Sequence, residues 1–294
     1  MFLAFTPFTF FFLCFYFIFF LFLFSTSNFL IFWVFMEFMI LIFMGISYTL
    51  FANNFSSLIL YFLVQTISSF SILFFYLYSN PIFFSLSLFL KLSIFPFHFW
   101  FLSICYRFPN FVLFLSSSFH KVPVFLFLLF FSPALSYSFV MFSLSLTVLF
   151  SGLIMLGSSD FRSVLVSSSV GNNSWFLLSS LLDLFSFLLF FSLYCLFLFF
   201  LVLDLSTLTK PGLTTFSKGR FYFYYLVIFI RGLPPFPMFF AKMFVVYSIF
   251  NSFYFETSYL FIFVVFSCLI LVGYIYSLSK YFVHSYSSAS LTVI

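Results

Sequence analysis

Charge is what this sequence has least of: ten Lys plus Arg and five Asp plus Glu, 5% of 294 residues, where soluble domains carry about 25%. A chain so poor in charge cannot keep a water-facing surface, which excludes a soluble enzyme. A net charge of +5 spread this thinly also leaves no basic patch for nucleic acid. Glycine, at 8, and proline, at 10, are scarce as well, so little of the chain is linker. The four cysteines, Cys14, Cys105, Cys195 and Cys268, stand far apart with no C-x-x-C pair, which excludes a zinc site, a cluster or a redox pair. They read as buried, inert thiols. His98 and His120 lie in successive apolar stretches and supply no facing axial pair, so neither haem nor quinone chemistry is expected in this chain. The segment Met1-Phe2-Leu3-Ala4-Phe5 has no basic n-region and no Arg-rich presequence, and the first apolar run is expected to be kept as a membrane span.

What is present is apolar surface. Hydrophobic residues make up 65% of the chain, phenylalanine alone contributes 65 residues, and the mean hydropathy is +1.31. That excess of phenylalanine is read as drift toward T-rich codons in a small organellar genome. Stretches such as 10–24 do not alternate apolar with polar, which argues against a membrane barrel. The remaining way to satisfy the backbone in lipid is the helix, at about 20 residues per crossing. The expected fold is therefore all-α: a polytopic transmembrane helical bundle of about ten helices. Apolar runs bounded by polar or Gly/Pro breaks place spans near 2–24, 29–50, 55–78, 82–104, 110–131, 135–156, 163–181, 184–204, 221–250 and 257–280. The seventh is unusually polar through Ser167, Ser168, Ser169, Gly171, Asn172, Asn173 and Ser174. The longest polar connection is 206–220.

Basic residues are distributed unevenly between the two sides. Connections after spans four, six and eight and the C-terminal end carry Arg107, Arg162, Lys210, Lys218, Arg220 and Lys280, whereas the opposite side has no basic residue and contains Asp183 and Glu256. The positive side is expected to face the compartment of synthesis, with both termini there. Five ionisable residues remain at mid-helix depth: Glu37, Lys91, Lys121, Arg231 and Lys242. Each costs at least about 2.5–3.5 kcal/mol on insertion. One interhelical ion pair would leave three cations unexplained, so the set points to a path for protons or ions. Each lysine also lies near a helix breaker, Pro96, Pro123 or the Gly232-Leu233-Pro234-Pro235 run. Two or more Pro-interrupted helices are expected, since broken helices are tolerated at membrane depth where they line a polar interior. Lys91 and His98, seven apart, would share a face of a continuous helix.

The run Lys91-Leu92-Ser93-Ile94-Phe95-Pro96-Phe97-His98-Phe99-Trp100 is followed by His120-Lys121-Val122-Pro123 and by Gly232-Leu233-Pro234-Pro235 with Lys242. Upstream stand Trp33-Val34-Phe35-Met36-Glu37 and Tyr61-Phe62-Leu63-Val64-Gln65. Together they resemble the antiporter-like membrane subunits of the proton-pumping NADH:ubiquinone oxidoreductase, respiratory complex I, and among these the subunit 2 type. The likeness runs over roughly residues 30 to 250 in order.

The resemblance implies a single antiporter-like domain over residues 1–294, located in the mitochondrial inner membrane with both termini in the matrix. It implies that Glu37 pairs with Lys91 on a broken helix, that Lys121 holds the centre of a half-channel and that Lys242 passes the proton onward. His98 and His120 are candidate relay members. No cofactor is expected in this chain; FMN, iron–sulfur clusters, NADH and ubiquinone would be bound by other subunits. Partners would be other membrane-arm subunits, a neighbouring antiporter-like subunit among them, and the lipid bilayer. The chain departs from the family at Asn172, where a histidine is usual and where an amide cannot titrate, and at Arg231, for which the family suggests no role. Rival readings are another antiporter-like subunit, a subunit of a cation/proton antiporter, or a scaffold subunit with no proton path of its own. From the charge asymmetry, added protease is expected to cut the 206–220 connection only from the matrix side. Cleavage from the intermembrane side would reverse the topology.

Overall fold

The computed structural model describes residues 7–50, 55–131, 135–158, 160–182, 184–208, 237–251 and 257–291. Among these lie twelve α-helices and no strand. In chain order they are α1 (Pro7–Ser25), α2 (Phe29–Leu50), α3 (Phe55–Leu77), α4 (Pro81–Leu92), α5 (Phe99–Cys105), α6 (Asn110–Ser117), α7 (Val122–Phe131), α8 (Tyr137–Gly157), α9 (Phe161–Leu182), α10 (Leu184–Leu208), α11 (Pro237–Asn251) and α12 (Thr257–Leu291). The chain is an all-α polytopic bundle. Six of its helical stretches are long and apolar enough to cross a membrane, counting Asn110–Phe131 as one interrupted span. Of the expected residues, Lys210, Lys218, Arg220, Arg231, Glu256, Asp183 and the Gly232–Pro235 run lie outside the described residues, as do most of the 206–220 connection and the first half of the 221–250 span.

Two of the ten expected spans are broken in the middle. α4 opens on Asn80, whose side chain accepts the Phe83 N–H, with Pro81 in the first turn, where a missing N–H costs nothing. It ends because Ser93 enters the left-handed region, with φ 58° and ψ 43°, while the Ile94 N–H returns to the Phe89 carbonyl at 2.9 Å. Residues 93–98 then turn before α5 begins. The second break lies between α6 and α7. Ser118 leaves helical geometry, a 3-10 turn spans Phe119–Lys121, and Pro123 is the second residue of α7, where its ring is compatible with a new helix. The two prolines that mark the breaks in the sequence therefore act differently: one withholds a donor after α4, the other starts α7.

Apolar side chains cover the outside as well as the core. Phe8, Phe10, Leu21, Leu30, Ile67 and Phe70, among many others, lie open on the outer surface, while serines line the interior. Every residue from Val164 to Ser180 on α9 is buried, so the most polar helix stands in the middle of the bundle. Its hydroxyls are satisfied within the helix: Ser167, Ser168, Ser169, Ser179 and Ser180 each donate to the carbonyl three residues earlier, at 2.7 to 3.0 Å. The cysteines do not match the expectation of buried thiols. All four are free, but only Cys105 is buried, and Cys14 and Cys268 face outward with the apolar side chains around them.

Around α9 pack α5, α7, α8, α10, α11 and α12. α8, α9 and α12 cross at three glycines. A methyl group on Gly273 would sit 2.9 Å from the Met155 Cβ, one on Gly152 3.0 Å from the Leu269 Cβ, and one on Gly171 2.8 Å from the Ser151 hydroxyl. Small residues at a crossing let backbones approach closely where no aqueous hydrophobic effect drives helices together. Gly273→Ala is therefore expected to lower stability by about 1–3 kcal/mol through overpacking. Gly157→Ala, with nothing within 4 Å of the new methyl, is expected to be neutral or slightly stabilising. Thermal midpoints in detergent compare the two.

Candidate functional site

The break after α4 exposes three consecutive carbonyls, and each receives a side chain from elsewhere. Trp100 Nε1 on α5 donates to the Leu90 carbonyl at 3.2 Å and Gln65 Nε2 on α3 to that of Lys91 at 3.4 Å. The Leu92 carbonyl would be served in a continuous helix by residue 96, which is a proline with no N–H. It accepts instead from Asn173 Nδ2 on α9 at 2.8 Å and from the hydroxyl of Ser93 beside it. Asn173 Nδ2 also reaches Ser93 Oγ at 3.2 Å.

The other end of the Asn173 amide holds a lysine. Lys121 Nζ, in the break between α6 and α7, donates to Asn173 Oδ1 at 2.9 Å and stands 4.1 Å from the centre of the Phe101 ring. An amide oxygen and an aromatic face are the two neutral groups best suited to a desolvated ammonium. Lys91 and Lys121 are both only 5% exposed. His120, also buried, lies within electrostatic reach of both lysines and packs at a tilt against Phe43 and Tyr61, with centroids 4.7 and 5.6 Å away. Its Nδ1 has no hydrogen-bond partner in the protein.

Glu37 on α2 acts electrostatically on Lys91, but the two do not touch. Glu37 Oε1 and Lys91 Nζ are both buried without a hydrogen-bond partner in the protein. Lys242 on α11 sits 5.4 Å from the Trp175 ring on α9. Asn173 and Trp175 are two residues apart, hence about 200° around the helix, so α9 stands between Lys121 on one side and Lys242 on the other.

The expected site residues are thus distributed as follows. Glu37, Lys91, His120 and Lys121 gather around the two breaks, and Lys242 lies across α9. His98 is elsewhere: α4 ends before the seven-residue spacing can bring it under Lys91, and its fully buried ring packs among Phe95, Phe99 and Phe150, with both nitrogens unpartnered. Asn173 was not singled out by sequence. Its neighbour Asn172, which stands where the family resemblance puts a histidine, instead lies near the Tyr194 side chain on α10, as does Ser117 at the end of α6. Cys105 lies near Lys121, with its thiol 3.8 Å from the Ser116 hydroxyl.

At one end of the bundle the loops after α5 and α8 are tied together. The Tyr106 hydroxyl donates to Asp160 Oδ2 at 2.6 Å, and Arg162 donates to the Phe108 carbonyl and to Asn110 Oδ1. Two of the basic connections therefore meet on the same side.

No protein-family profile matches the chain, and no curated protein sequence does. Among solved structures, a chain of respiratory complex I from Thermus thermophilus, determined with bound aureothin, superposes with a TM-score of 0.65 at 17% sequence identity. The match covers 84% of this chain and 64% of that one, so less than two thirds of the length of that chain has a counterpart here. The likeness is one of fold.

The left-handed Ser93 that ends α4 yields a test of how the break is held. Ser93→Val, with a β-branched side chain at φ 58°, is expected to cost about 1–3 kcal/mol, whereas Ser93→Gly should stay within about 1 kcal/mol of the parent. Unfolding midpoints of the two variants check it.

Proposed function

We propose that this chain is a membrane-arm subunit of a proton-pumping NADH:quinone oxidoreductase, of the subunit 2 type, and that it moves protons along a line of buried lysines without redox chemistry of its own. The observation that carries the reading is the gathering of Lys91, His120 and Lys121 at the breaks of two interrupted helices inside an apolar bundle. Fold similarity to a chain of complex I supports it. So does the family resemblance of the residues at both breaks. A scaffold would have no use for a buried Lys91 ammonium and Glu37 carboxylate that do not even pair.

In this reading Glu37 faces Lys91 and biases its charge. His120, within electrostatic reach of both lysines, hands protons between Lys91 and Lys121, and Lys242 takes them on beyond α9. Flavin, iron–sulfur clusters and the NADH and ubiquinone sites belong to other subunits. The chain lies in the mitochondrial inner membrane with its termini in the matrix, beside another antiporter-like subunit.

Mass spectrometry of a gently solubilised membrane tests the assembly: the chain should co-isolate with flavin and iron–sulfur subunits, and its absence from such a complex would overturn the reading. The proton step is tested by Lys91→Arg, which keeps the charge but does not deprotonate. The complex should assemble, yet coupled turnover in vesicles should fall by about a hundredfold, nearly as far as in Lys91→Met. Full pumping by Lys91→Arg would remove Lys91 from the path.

A further inference from the structure

Asn173 holds two groups that belong to different broken helices. Its oxygen takes the Lys121 ammonium at 2.9 Å, and its nitrogen gives to the Leu92 carbonyl at 2.8 Å, one residue beyond Lys91. The side chain is fully buried on the central helix, where no solvent competes for either bond. The amide cannot turn over while Lys121 is charged, because that would aim its NH2 at an ammonium and its oxygen at a carbonyl.

We propose that Asn173 is a positioning residue that couples the charge on Lys121 to the placement of the α4 end carrying Lys91. The inference rests on the proposed proton-moving role of the two lysines. With Lys121 protonated, the charge-assisted bond polarises the amide, strengthens its second bond and pins the Leu92–Ser93 turn beside α9. When Lys121 gives up its proton, its neutral amine can donate or accept, so the amide is free to turn over and withdraw from the α4 end the donor that Pro96 cannot supply. By linkage, a movement of α4 toward Glu37 acts back on Lys121 by the same factor. The two lysines thus communicate through one neutral amide, in addition to any proton that passes between them. No bond is made or broken beyond the proton leaving Lys121 Nζ, which the relay through His120 already receives.

The test uses the assembled complex in sealed vesicles, reading NADH oxidation and proton uptake together. Asn173→Leu removes both bonds while keeping the branched outline and the number of heavy atoms. Asn173→Asp keeps an acceptor for Lys121 but presents oxygen to the Leu92 carbonyl. Both variants are expected to lower proton translocation per NADH oxidised by about fivefold, the low end of typical coupling. NADH oxidation in the presence of an uncoupler should be largely retained. A purely structural role would lower yield or thermal midpoint and leave the ratio of protons to electrons unchanged. An unchanged ratio in Asn173→Asp overturns the proposal, and so does one in an assembled Asn173→Leu. Should Asn173→Leu fail to assemble, Asn173→Asp decides alone. Lys121→Met separates this inference from the reading beneath it: loss of pumping there, with the Asn173 variants unaffected, removes only the coupling role. Full pumping in Lys121→Met removes the lysine path itself.

Discussion

A carbonyl that a proline cannot serve must be served by something else, and much of the interior follows from that one obligation at Leu92. In hydrocarbon an unpaired backbone group costs several kcal/mol, so the break after α4 is viable only where side chains come to meet it. Trp100, Gln65 and Asn173 do so from α5, α3 and α9. The helix that brings Asn173 must run through the centre, must be rich in small polar residues, and must not offer its hydroxyls to lipid. α9 meets all three conditions because its serines turn back onto their own backbone. The lysine at the second break then finds its partner already in place.

The outside of the molecule is set by the opposite constraint. Nothing there needs to be satisfied, so phenylalanine and leucine cover it almost indiscriminately, and even cysteine is tolerated. Specificity is confined to the inner faces. It takes the form of glycines where α8, α9 and α12 cross, of aromatic stacks such as Phe29 on Tyr76 at 3.9 Å, and of the Trp33 indole donating to the Ser69 carbonyl between α2 and α3.

Much of this architecture was legible in the sequence, because a span is a local property. The ends of α2, α3, α8 and α9 lie within two residues of where apolar runs meet polar breaks. Pro96 and Pro123 marked the interrupted spans correctly, because where a proline can stand in a helix is also a local property. What stayed hidden was who supplies the missing partners. Asn173 lies 81 residues from Leu92 and 52 from Lys121, and nothing in the local pattern distinguishes it from Asn172. The middle of α9 read as unusually polar for a span for a related reason: composition registers a hydroxyl as polar whether or not it is already bonded to its own helix. The spacing of His98 from Lys91 misled because periodicity counts a continuous helix, and this one stops at Leu92.

The glycine crossing of α8, α9 and α12 bears on how the molecule comes into being. α8 and α9 are synthesised about a hundred residues before α12, and until α12 arrives the faces around Gly152 and Trp175 have no cover; Leu269, Ile270 and Phe263 all come from that last helix. For that interval the small residues of α8 and α9 face lipid at a surface shaped for a close-packed backbone. A chain that stops before α12 would therefore leave the crossing of α8 and α9 without its third helix. The crossing reaches its final packing only when α12 docks.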